Sequence, residues 1–166
     1  MNNRDQDLLT ELKSNQPNYE NIRRLLTGNK EILTQILDDS DFGTPLHIAA
    51  KIDTRNGTNI TKFLIEEFNA NPNIKNNGDS IPLYWAFAEL NACKNPSLNA
   101  IKCLLYHPKF YMNKKSVIRK SVLEFVREHY FNSARGEMIK MLVENKIWHD
   151  RLPSILLYKE IKQNYV

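Results

Sequence analysis

The stretch GTPLHIAA, Gly43 to Ala50, decides how the rest of the chain is read. It joins a turn residue, a Thr-Pro helix start, one histidine and two small apolar residues. Threonine is a cap-forming residue, and proline suits the first helical position. A lone histidine in such a place invites a catalytic or metal-binding reading. That reading needs partners, and the chain does not supply them. His107, His129 and His149 have no metal-ligand residue three or four positions further on. No HExxH, CxxC, P-loop, GxGxxG or GxSxG pattern is present. Asp38 to Gly43 has the acidic spacing of a calcium loop but lacks the bidentate glutamate and runs straight into Thr44-Pro45. It reads as a solvated acidic turn. No catalytic residue, metal or cofactor is therefore expected.

Working outward, four stretches superimpose. They are Ile22–Leu26, Thr61–Ile65, Ile101–Leu105 and Ile139–Val143. Aligned on Arg24, Lys62, Lys102 and Lys140, they are spaced by 38, 40 and 38 residues. An apolar residue and then a leucine follow the basic residue each time. Fewer than 20 residues before each lies a second apolar segment, led by Leu8, Leu46, Leu83 and Leu123. Each unit is thus a pair of short helices that cannot bury its apolar face alone, and stacking the pairs solves that. Asn18, Asn59, Asn95-Pro96 and Ser133 read as starts of second helices. Asn69 can take the left-handed conformation that closes a helix, and Pro108 would stop the third unit's second helix.

At these residues the chain resembles the ankyrin repeat family. Gly43 to Ala50 is similar to its Thr-Pro-Leu-His-x-Ala-Ala signature. Asn69 to Gly78 resembles its hairpin loop, and Ile81-Pro82-Leu83-Tyr84 is a degenerate second helix start. The resemblance implies an all-α, ankyrin-repeat α-solenoid. It implies one domain over 1–166, with repeats at about 5–40, 41–77, 78–115 and 116–150 and a capping helix at 152–163. The family period is about 33, and the surplus here is assigned to loops at Asp53–Gly57 and Leu90–Lys94. Lys30 to Ser40 reads as a short extra helix. The resemblance also implies that Thr44 and His47 hydrogen-bond to each other and to neighbouring backbone. Pro45 presets the helix, Leu46 points inward, and Ala49 and Ala50 are small because the paired helices approach closely. Trp85 and Phe87 share helix-face spacing with Leu83 and read as core.

Composition sets the remaining bounds. Of 166 residues, 42% are hydrophobic and 25% charged, as in an ordinary globular chain. No apolar run is long enough for a membrane span, and the polar N-terminus lacks a signal peptide's core. Cys93 and Cys103 read as reduced thiols of an intracellular protein. The net charge is +4, unevenly spread: residues 1–80 hold 9 basic against 12 acidic side chains, and 81–166 hold 14 against 7. Such a dipole steers a partner's approach without bearing on fold.

The expected function is a protein–protein interaction module, not an enzyme. Repeats and cap occupy the whole chain, so any effect comes from occupying a partner's surface. Carried over from the family, the binding positions on the hairpins are Asp39, Asp41, Phe42, Lys75, Asn76, Asn77 and Asp79, then Lys109 and Tyr111. Those on the first helices are Lys51, Ile52, Ala88, Glu89, Glu128 and His129. The partner is another protein, with no membrane and no nucleic acid expected, and the chain is expected to be a monomer in the cytoplasm. The Asn/Lys/Ile-rich composition adds one association, with effectors that intracellular bacteria or viruses place in a host-cell cytosol. Two rival classes stand beside this reading. One is nucleic-acid binding through the basic C-terminal half, where Lys109 to Lys120 interleaves cations with aromatics. The other is an enzyme built on the repeat frame.

Overall fold

The computed structural model describes residues 3–37, 43–52, 55–90, 98–110, 137 and 141. The chain divides into two units, Met1–Tyr111 and Met112–Val166, and the helices from Asn3 to Leu105 lie in the first. The expected fourth repeat and capping helix lie outside the described residues, as do Asn95-Pro96, Ser133 and Cys93. Six α-helices and no β-strand occur among the described residues. They are α1 (Asn3–Lys13), α2 (Tyr19–Leu26), α3 (Pro45–Lys51), α4 (Arg55–Glu66), α5 (Pro82–Leu90) and α6 (Asn99–Leu105). A 3-10 turn, Lys30–Thr34, stands where the extra helix is expected.

The helices pair in chain order. α1 packs on α2, α3 on α4, and α5 on α6. Neighbouring pairs then meet like with like: α3 touches α1 and α5, and α4 touches α6. First helices thus form one layer and second helices another. Leu8, Leu12, Leu46, Leu64, Leu83 and Phe87 are fully buried between them. Each leucine so enclosed contributes about 1.5–3 kcal/mol. Ala49 and Ala50 are buried too, where a larger side chain has no room.

Local chemistry explains the helix ends. Asn18 caps α2: its side-chain oxygen accepts the Asn21 amide at 3.0 Å. Glu11 of α1 braces the same end, accepting from the Asn18 backbone at 2.9 Å and from the Asn21 side chain at 2.6 Å. Asn69 sits at φ 56° just beyond α4, and the Ala70 amide reaches back to the Leu64 carbonyl at 3.0 Å. That bond spans six residues, one more than the common closure after a left-handed residue, and turns the chain away from α4. α6 ends at Leu105, ahead of Pro108.

Two expectations are corrected here. Arg55 to Gly57 is not loop but the first turn of α4, and Asn59 lies inside that helix rather than capping it. Gly57 makes this possible. A Cβ there would fall 2.1 Å from the Ile52 carbonyl oxygen, so only glycine lets α4 start hard against the end of α3. The extra residues therefore lengthen a helix instead of a loop.

Candidate functional site

His47 is fully buried in α3. Its Nε2 lies 2.8 Å from the Ser80 carbonyl oxygen. A carbonyl only accepts, so Nε2 carries the ring proton and donates it. Nδ1 is then free to accept the Thr44 hydroxyl, 2.8 Å away. Burial holds the ring's pKa down to about 4, against a weaker upward pull from the Ser80 hydrogen bond. The ring is neutral, and both nitrogens are committed. It has no lone pair left for a metal or a substrate, and it links the start of α3 to the turn before α5.

That turn is the hairpin tip Asn76–Ser80. The Asn76 amide donates to the Ser80 carbonyl at 3.0 Å, and the Asp79 amide to the Asn76 carbonyl at 2.9 Å. The Asn76 side-chain oxygen accepts two further amides, Gly78 at 3.0 Å and Ser80 at 2.9 Å. Asp79 stands at φ 57°, a left-handed position that aspartate tolerates. Its carboxylate meets Lys75 Nζ at 2.5 Å. Lys75 and Asp79 therefore spend their charges on each other, and Asn77 and Gly78 form the exposed apex.

Trp85 of α5 closes the other side of His47. Their rings meet edge to face at 5.1 Å, and Lys51 Nζ lies 5.6 Å from the indole ring centre. Gly43 leaves room for this: a Cβ there would come within 2.9 Å of the indole. Leu83 and Phe87 are buried, but Trp85 is only half-buried, which corrects its reading as core. The reason is geometric, since the indole lies over the joint and not between the layers.

Of the sequence-derived binding positions, Lys51 lies over Trp85, and Lys75, Asn76 and Asp79 belong to the hairpin tip whose Ser80 carbonyl His47 holds. Asn77 projects at the apex, and Ala88 is exposed on α5. Ile52 is half-buried as the cap residue of α3. Lys109 is exposed, with Nζ 2.5 Å from the Asn69 side-chain oxygen, and its carbonyl accepts the Asn73 side chain at 2.7 Å. It ties the next hairpin to this one. Asp39, Asp41, Phe42, Tyr111, Glu128 and His129 lie outside the described residues, and so does the Glu89 side chain. Most of the basic segment Lys109–Lys120 lies outside them too.

Some organising residues carry no local signal. Arg23 of α2 grips Glu67 through Nη2, at 2.8 and 3.1 Å, and through Nε, at 3.2 Å, also contacts Glu20, and lies 5.4 Å from the Phe63 ring centre. Arg4 of α1 donates to the Leu25 carbonyl at 2.8 Å and to Thr27 at 2.9 Å, closing the C-terminal end of α2. Both pairings span more than 20 residues, a range at which periodicity says nothing. Cys103 is a free, half-buried thiol whose pKa burial pushes up. Among the described residues, no group of three or more His, Cys, Asp or Glu side chains could hold a metal ion. Among them, too, no helix is long and apolar enough to cross a membrane.

Paired helices in two layers, joined through a histidine that reaches the following hairpin, define an α-helical repeat protein. The family model described as Ankyrin repeat matches residues 43–77, so this stretch of the chain is an ankyrin repeat. Comparison with curated proteins and with solved structures gave no match.

Proposed function

We propose that the chain is a non-catalytic module that recognises another protein through the hairpin tip Asn76–Ser80 and the accessible first-helix positions beside it, Lys51 on α3 and Trp85 and Ala88 on α5. The observation that carries this reading is the His47 joint. It fixes Trp85, Lys51 and the hairpin apex in one arrangement before any partner arrives, and recognition by a preformed surface loses less entropy on binding. Ankyrin repeats generally mediate protein–protein interaction, which supports the same reading. The chain acts as a monomer in the cytosol. The composition supports a narrower version, an effector placed in a host cell by an intracellular bacterium or virus.

The test is affinity capture with wild type against Ala88→Arg and Asn77→Arg. Both positions are exposed, so neither change alters packing. Joint reversal of Lys75 and Asp79 is a poor probe, because it rebuilds the same ion pair. Loss of the wild-type partner in both variants, with thermal stability kept, supports this face. Equal capture by all three proteins places recognition elsewhere.

A further inference from the structure

The chain contains two Asn-Gly dipeptides, Asn56-Gly57 and Asn77-Gly78. Asparagine followed by glycine is the pairing most open to internal attack, because glycine presents no side chain to hinder its backbone nitrogen. The structure sets the two dipeptides in opposite surroundings. Asn56-Gly57 is in the first turn of α4, and Gly57 is packed against Ile52. A helical backbone carries each amide nitrogen away from the side chain before it. Asn77-Gly78 is exposed at the hairpin apex, outside any helix.

We propose that Asn77 is a site of spontaneous deamidation, and that Asn76 sets its rate. The Gly78 nitrogen attacks Cγ of Asn77 and gives up its proton. An N–Cγ bond forms, the Cγ–Nδ2 bond breaks, and ammonia leaves with that proton. Water then opens the resulting succinimide at either carbonyl, giving aspartate or isoaspartate. Water is the one co-reactant, and no oxidant is required. The restraint is visible: the Gly78 N–H is held by the Asn76 side-chain oxygen at 3.0 Å, and the nitrogen must leave that bond to react. The product places a new carboxylate beside the Lys75–Asp79 pair. The isoaspartyl form also lengthens the backbone between Asn76 and Ser80, the residue that His47 holds. The apex thereby carries a chemical clock that changes its charge and loosens its joint.

The test is peptide mapping of the full chain during incubation in mildly alkaline buffer at physiological temperature. Wild type is expected to gain the mass of the amide-to-acid change at residue 77, with isoaspartate present, while Asn56 stays intact. Asn76→Ala should react about fivefold faster, the factor that one net hydrogen bond represents. Gly78→Ala should stop the reaction without unfolding the tip, because the added Cβ meets only the Asn76 oxygen, at 3.4 Å. No conversion at residue 77, equal conversion at Asn56, or a rate unchanged by Gly78→Ala overturns the assignment. An unchanged rate in Asn76→Ala overturns the role given to Asn76.

Discussion

At the scale of a residue, His47 shows how one side chain can look functional in sequence and act as a joint in the fold. An unfolded histidine titrates near 6.5, whereas this ring stays neutral down to about 4. Between those values the unfolded chain binds a proton that the folded chain refuses. Stability contributed by His47 is therefore fully present above about pH 6.5 and is lost as the pH falls toward about 4, by about 3 kcal/mol in all. His47→Gln should be less stable than wild type at neutral pH, and the gap should close over that window in urea titrations. A gap that stays constant would mean that the ring is not held neutral. The Thr44–His47 pairing was legible in Gly43–Ala50 only through the resemblance to the ankyrin signature, which implies it. The acceptor at Ser80 was foreseeable only as a neighbouring backbone, because a hairpin 33 residues away must fold before its carbonyl has a position.

At the scale of an element, helix ends decide where each pair begins and stops. Asn18→Ala removes the cap of α2 and should cost about 1 kcal/mol, read from chemical denaturation. Asn69 is a sharper case. Its left-handed φ is tolerable for asparagine and hostile to a β-branched residue, so Asn69→Val should cost about 1–3 kcal/mol, while Asn69→Gly keeps the helix closure. Equal stability of the two variants would show that the closure does not depend on that conformation. The asparagines at 18 and 69 were legible because capping and closure are local chemistry. Asn59 was misread for the same reason: an asparagine looks alike inside a helix and at its start. What extends α4 to Arg55 is the missing side chain of Gly57 against Ile52, a contact between two elements. The half-exposure of Trp85 also escaped the spacing argument, since spacing places it on the apolar face but does not say that the face ends at the joint.

At the scale of the whole molecule, the described helices form a two-layer stack in which each pair leans on the next. The pairing of short helices in chain order was visible in the spacing of apolar residues. The clamps between pairs were not. Arg23–Glu67 and His47–Ser80 each join neighbouring helix pairs, and nothing adjacent in the chain announces them. The second of these matters most, because the recognition face exists only if α3 and the following hairpin are fixed together. Nitrogen-15 NMR of the His47 ring tests it directly. The expected result is a neutral ring protonated at Nε2, with a slowly exchanging proton, unchanged from about pH 8 to about pH 5.5. A ring that titrates near its ordinary value, or carries its proton on Nδ1, would contradict the joint and the surface built on it.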